Sequence, residues 1–338
     1  MRRRHAAAAA LVCCTPTWPA ALAPGKPYGR RADVMSAAQS IADEVGLDAA
    51  WVEATLGQAR FVPSVAQLIM PAASTRTRDW SAYRTRLVDG RRIDAGVRWW
   101  HDNASWLDQA AERFGVPPDI VVGIVGVETY YGRHTGTFRV LDALATLSFD
   151  FPRGRSDRSG FFRAELAQFL RLVDREGWNA TAVTGSYAGA MGIPQFMPSS
   201  VLNYAIDFDD DGRIDLSGSH ADVVGSVARF LSEHGWRRGM PTHYRVQPPP
   251  DTVERALLLV PDIVPSFSPA QMAQRGARLD DAALQHEGSL ALVELHNGEA
   301  APSYVAGTQN FYALTRYNAS SYYALAVIEL ARAVSARF

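Results

Sequence analysis

The sequence predicts a mainly α-helical protein, formally α+β because of a small β-rich insertion near its C-terminal end. Three observations carry this. Apolar residues recur at helical spacing between residues 34 and 114, and a run apolar on every side, 120–127, opens behind Pro117-Pro118-Asp119. Composition then changes after Met240, where Pro248-Pro249-Pro250 and short apolar runs bounded by turn residues replace the helical pattern until it returns near Ser320. A chain of 338 residues with 47% hydrophobic content has matter for about two or three folded units.

In chain order, Arg2, Arg3 and Arg4 precede an apolar stretch at 6–14, the pattern of an export signal rather than of a spanning helix, which needs roughly 20 apolar residues. Residues 1–25 are therefore expected to be an export signal and linker. Ala21-Leu22-Ala23 fits a cleavage motif, although Pro24 follows it. Cys13 and Cys14 are the only cysteines, so the body carries no disulfide framework, thiol chemistry or cysteine-bound zinc; a lipid-anchored cysteine is the alternative to a discarded leader.

Trp51, Val52, Thr55 and Leu56, then Trp106, Leu107, Ala110, Ala111 and Phe114, place a helical domain at 26–115. The run 120–127 fits a buried helix or a buried strand, and its length and proline start favour the helix. Further helices are expected at 161–176, 222–234 and 320–336. The runs 256–260 and 290–295 read as strands within the insertion, 241–309, which leaves 116–240 with 310–338 as a helical core. With 34 Lys+Arg against 35 Asp+Glu there is no net basic field, so nucleic acid is excluded as a partner. Lys26 is the only lysine, and the arginines are not read as phosphate contacts.

Glu128 directly continues the apolar run. Burying an unpaired carboxylate costs several kcal/mol, and the usual response is a raised pKa, which suits a general acid. A helix-end glutamate paired with Arg133 or facing water fits the same residues. The segment 185–200 holds three glycines, Gln195, and the flat or apolar faces of Tyr187, Phe196 and Met197; these are sugar-binding ingredients or a tightly packed loop. Asn310 to Asn318, followed by Tyr322-Tyr323, again combines aromatic rings with amides, suited to polyhydroxylated ligands or to core packing.

Asp207, Asp209 and Asp211, with Gly212 and Ile214, match the first half of an EF-hand loop. Position twelve is Gly218 rather than glutamate. Asp222 is the nearest acid that closes the shell, and Arg213 offers only its backbone carbonyl. A structural Ca2+ is expected rather than a sensor, and no organic cofactor.

In combination these segments resemble the membrane-bound lytic murein transglycosylase B family (glycoside hydrolase family 103). The resemblance runs through Met70-Pro71-Ala72, Trp80 to Arg84, Gly126 to Thr129, Leu141 to Phe149, the Gln195 segment, the aspartate loop and Thr315 to Asn318. It implies a lysozyme-like helical core flanked by another helical region and a small β domain. It also implies Glu128 as catalytic residue and calcium at the loop. Ser186, Gln195, Phe196, Tyr317, Asn318 and Tyr323 are similar to residues that line the family's glycan cleft. Arg153 matches the first of two adjacent arginines in the family, but Gly154 replaces the second, and Arg155 or Arg158 are the candidates to substitute in contacting the peptide stem. The implied reaction cuts the β-1,4 bond between N-acetylmuramic acid and N-acetylglucosamine and leaves a 1,6-anhydromuramic acid end.

The same resemblance implies a periplasmic monomer acting on peptidoglycan glycan strands, with cell-wall synthesis or remodelling proteins as further partners. Rival readings are a hydrolytic muramidase, which needs a second acid among residues such as Asp142, Asp150 or Asp157; a catalytically silent peptidoglycan-binding scaffold; and a calcium-responsive binding protein.

Overall fold

The computed structural model describes residues 25–70 and 79–338; the expected leader, both cysteines, and Pro71-Ala72 lie outside the described residues. After a 3-10 turn at Tyr28–Arg30 the elements are α1 (Ala32–Val45), α2 (Ala49–Gly57), α3 (Pro63–Leu68), α4 (Trp80–Leu87), α5 (Gly90–Phe114), α6 (Pro118–Thr129), β1 (Phe138–Arg139), α7 (Val140–Phe149), α8 (Ser159–Glu176), β2 (Thr184–Gly185), α9 (Pro198–Tyr204) and α10 (His220–Glu233). There follow β3 (His243–Gln247), α11 (Thr252–Leu259), α12 (Pro269–Gln274), β4 (Arg278–Leu279), α13 (Asp281–Leu284), β5 (Ala291–Asn297), β6 (Ala300–Gly307), α14 (Gln309–Tyr317) and α15 (Ser321–Ser335). The mainly helical class is as expected. The described residues form two compact units, one from within 75–131 and 224–338, the other from within 14–74 and 132–223.

In the first unit α6 packs against α5 and α15. Pro118 opens α6 at a position whose N–H would be unpaired in any case, and Ile120 to Thr129 are all buried. The contact with α15 is close because α6 carries two glycines on that side. A Cβ on Gly123 would stand 2.6 Å from the Val327 carbonyl oxygen, and one on Gly126 would stand 2.8 Å from Leu330. Helix α5 starts at an Asp89 cap, whose carboxylate accepts the Arg92 N–H, and stops at left-handed Gly115. Trp236 donates its indole N–H to the Gly115 carbonyl, 3.0 Å away, which fixes the end of α5.

The β-rich segment of this unit is a four-stranded antiparallel sheet in the order β4-β3-β6-β5. The run 290–295 falls almost wholly on β5. The run 256–260, expected as a strand, is instead the end of α11 and the residue after it. Asp251 explains the difference: its carboxylate accepts the N–H groups of Val253 and Glu254, starting a helix from which Leu258 reaches a core shared with Met272, Ala277, Leu290, Leu292 and Ala306. Alanine and leucine have high helix propensity, so once the cap is set the run propagates as helix.

In the second unit the buried helix α7 is flanked by α3 and α8. Two of its polar side chains hold the strand-like approach to α3: Asp142 accepts the Arg60 N–H at 2.9 Å and Thr146 accepts that of Val62 at 3.0 Å. Strands β1 and β2 pair antiparallel, Phe138 opposite Gly185. A Cβ on Gly136 would stand 2.1 Å from the Gly185 carbonyl oxygen, so this approach requires glycine. No helix among the described residues is long and apolar enough to cross a membrane.

The α6–α15 contact gives a direct test. Gly123→Ala should lower stability by about 1–3 kcal/mol in urea unfolding, despite alanine's better helix propensity, because the added methyl meets backbone. Gly160→Ala, in open space on α8, should stay within about 0.5 kcal/mol of the parent.

Candidate active site

Four predicted site residues, Glu128, Tyr317, Asn318 and Tyr323, lie in the first unit. Glu128 is in the last turn of α6 and is 5% exposed. The Tyr323 hydroxyl donates to its Oε1 at 2.6 Å. Tyr323 stands in the first turn of α15, where the Ser320 cap receives its N–H. Tyr317, at the end of α14, stacks on Tyr323 with ring centroids 6.3 Å apart and planes at 16°, and the Phe230 ring is 4.8 Å from it. The Oδ1 of Asn318, next in the chain, is buried with no hydrogen-bond partner among the described residues.

Burial pushes the Glu128 carboxyl up to about 7, and the hydrogen bond from Tyr323 opposes the rise. Burial and the nearby Glu128 both raise the phenols of Tyr317 and Tyr323 well above their ordinary value. The water-facing alternative does not describe this carboxyl, which is buried. It is a buried acid that can hold a proton near neutral pH and release it to a neighbouring oxygen.

The backbone helps by ending α6 abruptly. Tyr130 and Tyr131 follow with φ of +53° and +59°, a left-handed pair without glycine. The Tyr131 hydroxyl lies where Cβ atoms on Gly96 and Gly126 would be, 2.3 and 2.5 Å away, so both glycines are needed to admit it. The Arg92 guanidinium sits 5.0 Å over the Tyr130 ring and donates to the carbonyls of Arg86 and Leu87.

Ser186, Gln195, Phe196, Arg153 and the aspartate loop belong to the second unit. The Ser186 hydroxyl accepts the Ala188 and Ala190 N–H groups, and the backbones of Met191 and Phe196 exchange hydrogen bonds at 2.8 and 3.1 Å. Gln195 has φ +53° and donates its amide to the carbonyls of Thr135 and Gly192, at 3.0 and 2.9 Å. Arg153 is exposed. Its proposed substitutes are engaged elsewhere: Arg155 donates to the Ile69 carbonyl, and Arg158 stacks over Phe161 and Phe162 at 4.5 and 5.5 Å.

Of the acids suggested for a hydrolytic rival, two have tertiary partners and the third, Asp157, is exposed with a local one. Asp150 accepts from Tyr28 and Arg31, Asp142 from the Arg60 N–H with Arg139 alongside, and Asp157 from the Ser159 N–H.

The carboxylates of Asp207, Asp209 and Asp211 converge, with ligand oxygens within 4.8 Å of one another. Oδ1 of Asp209 is buried without a partner among the described residues, while Ser219 donates to its other oxygen. An all-oxygen donor set with an unsatisfied buried carboxylate oxygen fits a hard divalent cation. Arg213 donates its N–H to Asp211. Asp222 is outside the three-carboxylate group; its oxygens accept the N–H groups of Phe208 and Asp215, closing the loop from behind.

Sequence reasoning missed Thr135, which contributes only a carbonyl, and Tyr83, whose phenol is near enough to Tyr323 to raise it further. Tyr83 belongs to an aromatic group with Trp80 and Tyr322, and that density of rings was the available signal.

Residues 30–332 match the model of the transglycosylase SLT domain family. Membrane-bound lytic murein transglycosylase B of Escherichia coli (strain K12) is 36% identical over 299 residues, 86% of this chain and 79% of that protein. The catenated lytic transglycosylase SltB1 of Pseudomonas aeruginosa superposes with a TM-score of 0.82 at 35% identity, covering 92% of this chain and 99% of that one. The E. coli lytic transglycosylase SLT35 superposes at 0.80 with bulgecin A bound and at 0.79 in complex with calcium, both at 34% identity and covering 93% and 96% of the two chains.

The burial of Glu128 has a measurable consequence for stability. A carboxyl whose folded pKa lies above its unfolded value stabilises fully below about 4.5 and loses that contribution as pH rises through about 7. Glu128→Gln should therefore gain stability relative to the parent between pH 4.5 and 8, by on the order of 3 kcal/mol, in urea titrations across that range.

Proposed function

This chain belongs to the transglycosylase SLT domain family and is a lytic transglycosylase that cleaves peptidoglycan; we propose that Glu128 is the single acid–base group with which it does so. The observation that carries this is a buried carboxyl, hydrogen-bonded by Tyr323 and raised to about 7.

In this reading Glu128 starts protonated and gives its proton to the oxygen linking N-acetylmuramic acid to N-acetylglucosamine, so the bond from that oxygen to muramoyl C1 breaks. The resulting carboxylate takes the proton of the muramoyl 6-hydroxyl, whose oxygen bonds to C1 of the same sugar. Water does not enter, and the product carries a 1,6-anhydro ring. Attack within one sugar gains from proximity and so dispenses with a second carboxylate. The tertiary partners that hold Asp142 and Asp150 support this over hydrolysis. Tyr323 orients the carboxyl, and the Asn318 Oδ1 is a ready acceptor for a sugar hydroxyl or acetamido N–H. Tyr317, Ser186, Gln195 and Phe196 are further glycan contacts, and exposed Arg153 is the cation left for a peptide-stem carboxylate.

Calcium would be held by Asp207, Asp209 and Asp211 with the Arg213 carbonyl, Asp222 bracing the loop. Bound there, it supplies charge neutralisation for three converging carboxylates and no step of the reaction. The division into a helical domain, a lysozyme-like core and a β-rich domain, and a periplasmic location, belong to the same proposal.

Mass spectrometry of fragments released from purified peptidoglycan tests the reaction. We expect 1,6-anhydromuramic acid ends from the parent protein, activity falling as pH rises through about 7, and a loss of about 100-fold or more in Glu128→Gln. Reducing ends would establish a hydrolase instead. Adding a chelator should lower the melting temperature, and excess calcium should restore it.

A further inference from the structure

We propose that Leu216 is a positioning residue for glycan binding: its backbone carbonyl ties the aspartate loop to the turn that carries Gln195, so that the loop's cation sets the affinity for glycan. This rests on the reading of Gln195 as a glycan contact and of the loop as a cation site.

The tie is a hydrogen bond from the Ile193 N–H to the Leu216 carbonyl, 2.8 Å long. It exists because residue 192 is glycine. A Cβ there would stand 2.7 Å from the same carbonyl oxygen and 2.9 Å from the Leu216 Cβ, at a φ of +67°. Two residues after the tie, Gln195 is held at φ +53°. A left-handed residue other than glycine is strained and persists only where its surroundings hold it. Here the holder is the Gly192 carbonyl, which accepts both the backbone N–H and the side-chain amide of Gln195, at 3.3 and 2.9 Å. Gly192 is in turn fixed by its contact with Leu216. The chain of restraint therefore runs from Leu216 through Gly192 and Ile193 to the Gln195 amide.

At its other end the restraint begins in the loop. Leu216 is 8% exposed and follows Asp215, whose N–H is anchored on the buried Asp222 carboxylate, the same group that receives the Phe208 N–H. Phe208 lies between Asp207 and Asp209, two of the three converging carboxylates. Like charges so placed repel unless a cation compensates them. Relaxation of that repulsion moves the Phe208–Asp222–Asp215 brace on which Leu216 is carried. Coupling of this kind is reciprocal, so glycan must tighten the cation by the factor by which the cation tightens glycan.

Isothermal titration of the Glu128→Gln protein with an N-acetylglucosamine tetramer, well below the melting temperature, tests this in calcium and in chelator. The tetramer should bind at least about fivefold more weakly in chelator, and saturating tetramer should lower the calcium Kd by the same factor. In Gly192→Ala the two conditions should bind the tetramer alike. Equal affinities in the parent would overturn the proposal and leave the proposed glycan contacts standing. A calcium dependence that persists in Gly192→Ala would overturn the assignment to Leu216. Absence of tetramer binding in both conditions would instead remove the glycan reading itself, and the inference with it.

Discussion

A carboxyl group at the end of a helix that is apolar on every side cannot be both charged and comfortable, and the Glu128–Tyr323 hydrogen bond is how this fold holds it in place. The bond depends on backbone packing rather than on either side chain alone. Gly123 and Gly126 let α15 come against α6 at a distance that any larger residue would forbid, and the Ser320 cap starts α15 so that Tyr323 falls in its first turn. Protonation near neutral pH then follows from burial, with Tyr323 lending enough polarity to keep the carboxylate within reach. A carboxyl buried without that donor would be harder to ionise, and a more exposed one would be ionised at neutral pH.

The end of α6 shows the same economy. Two consecutive left-handed tyrosines terminate it where a glycine would be the easy choice. Their rings are used for packing: Tyr131 fills the space over Gly96 and Gly126, and Tyr130 lies under Arg92. Strain at a functional site is tolerated when the surroundings over-determine it, and here a buried arginine and two glycines do so. Gln195 repeats the arrangement in the second unit, with Thr135 and Gly192 as its restraints.

Much of this was legible in the sequence because it is local. The proline-opened apolar run gave α6 and set Glu128 at its end, periodicity gave α5, α8 and α15, and the spacing of three aspartates gave the loop. What depends on distant backbone left no mark. Asp222 was named as the nearest acid in sequence; that its oxygens also accept N–H groups from Phe208 and Asp215 is tertiary. Thr135 acts through a carbonyl that every residue possesses. The run 256–260 read as a strand from its apolar residues, whereas the Asp251 cap, bonding to Val253 and Glu254, makes it the end of a helix. Arg155 and Arg158 could be named as spare cations from sequence, but their contacts with Ile69 and with two phenylalanine rings are tertiary.

In the proposed mechanism Glu128 holds its proton near neutral pH because it is buried. Carbon-13 NMR of the side-chain carboxyl carbons, recorded from pH 4 to 9 for the parent and for Glu128→Gln to assign the resonance, measures this directly. A carboxyl titrating near 7, absent in the variant, is the result predicted. Titration near the ordinary value of 4.5 would contradict the account, since the group would then be ionised when it is required to act as an acid.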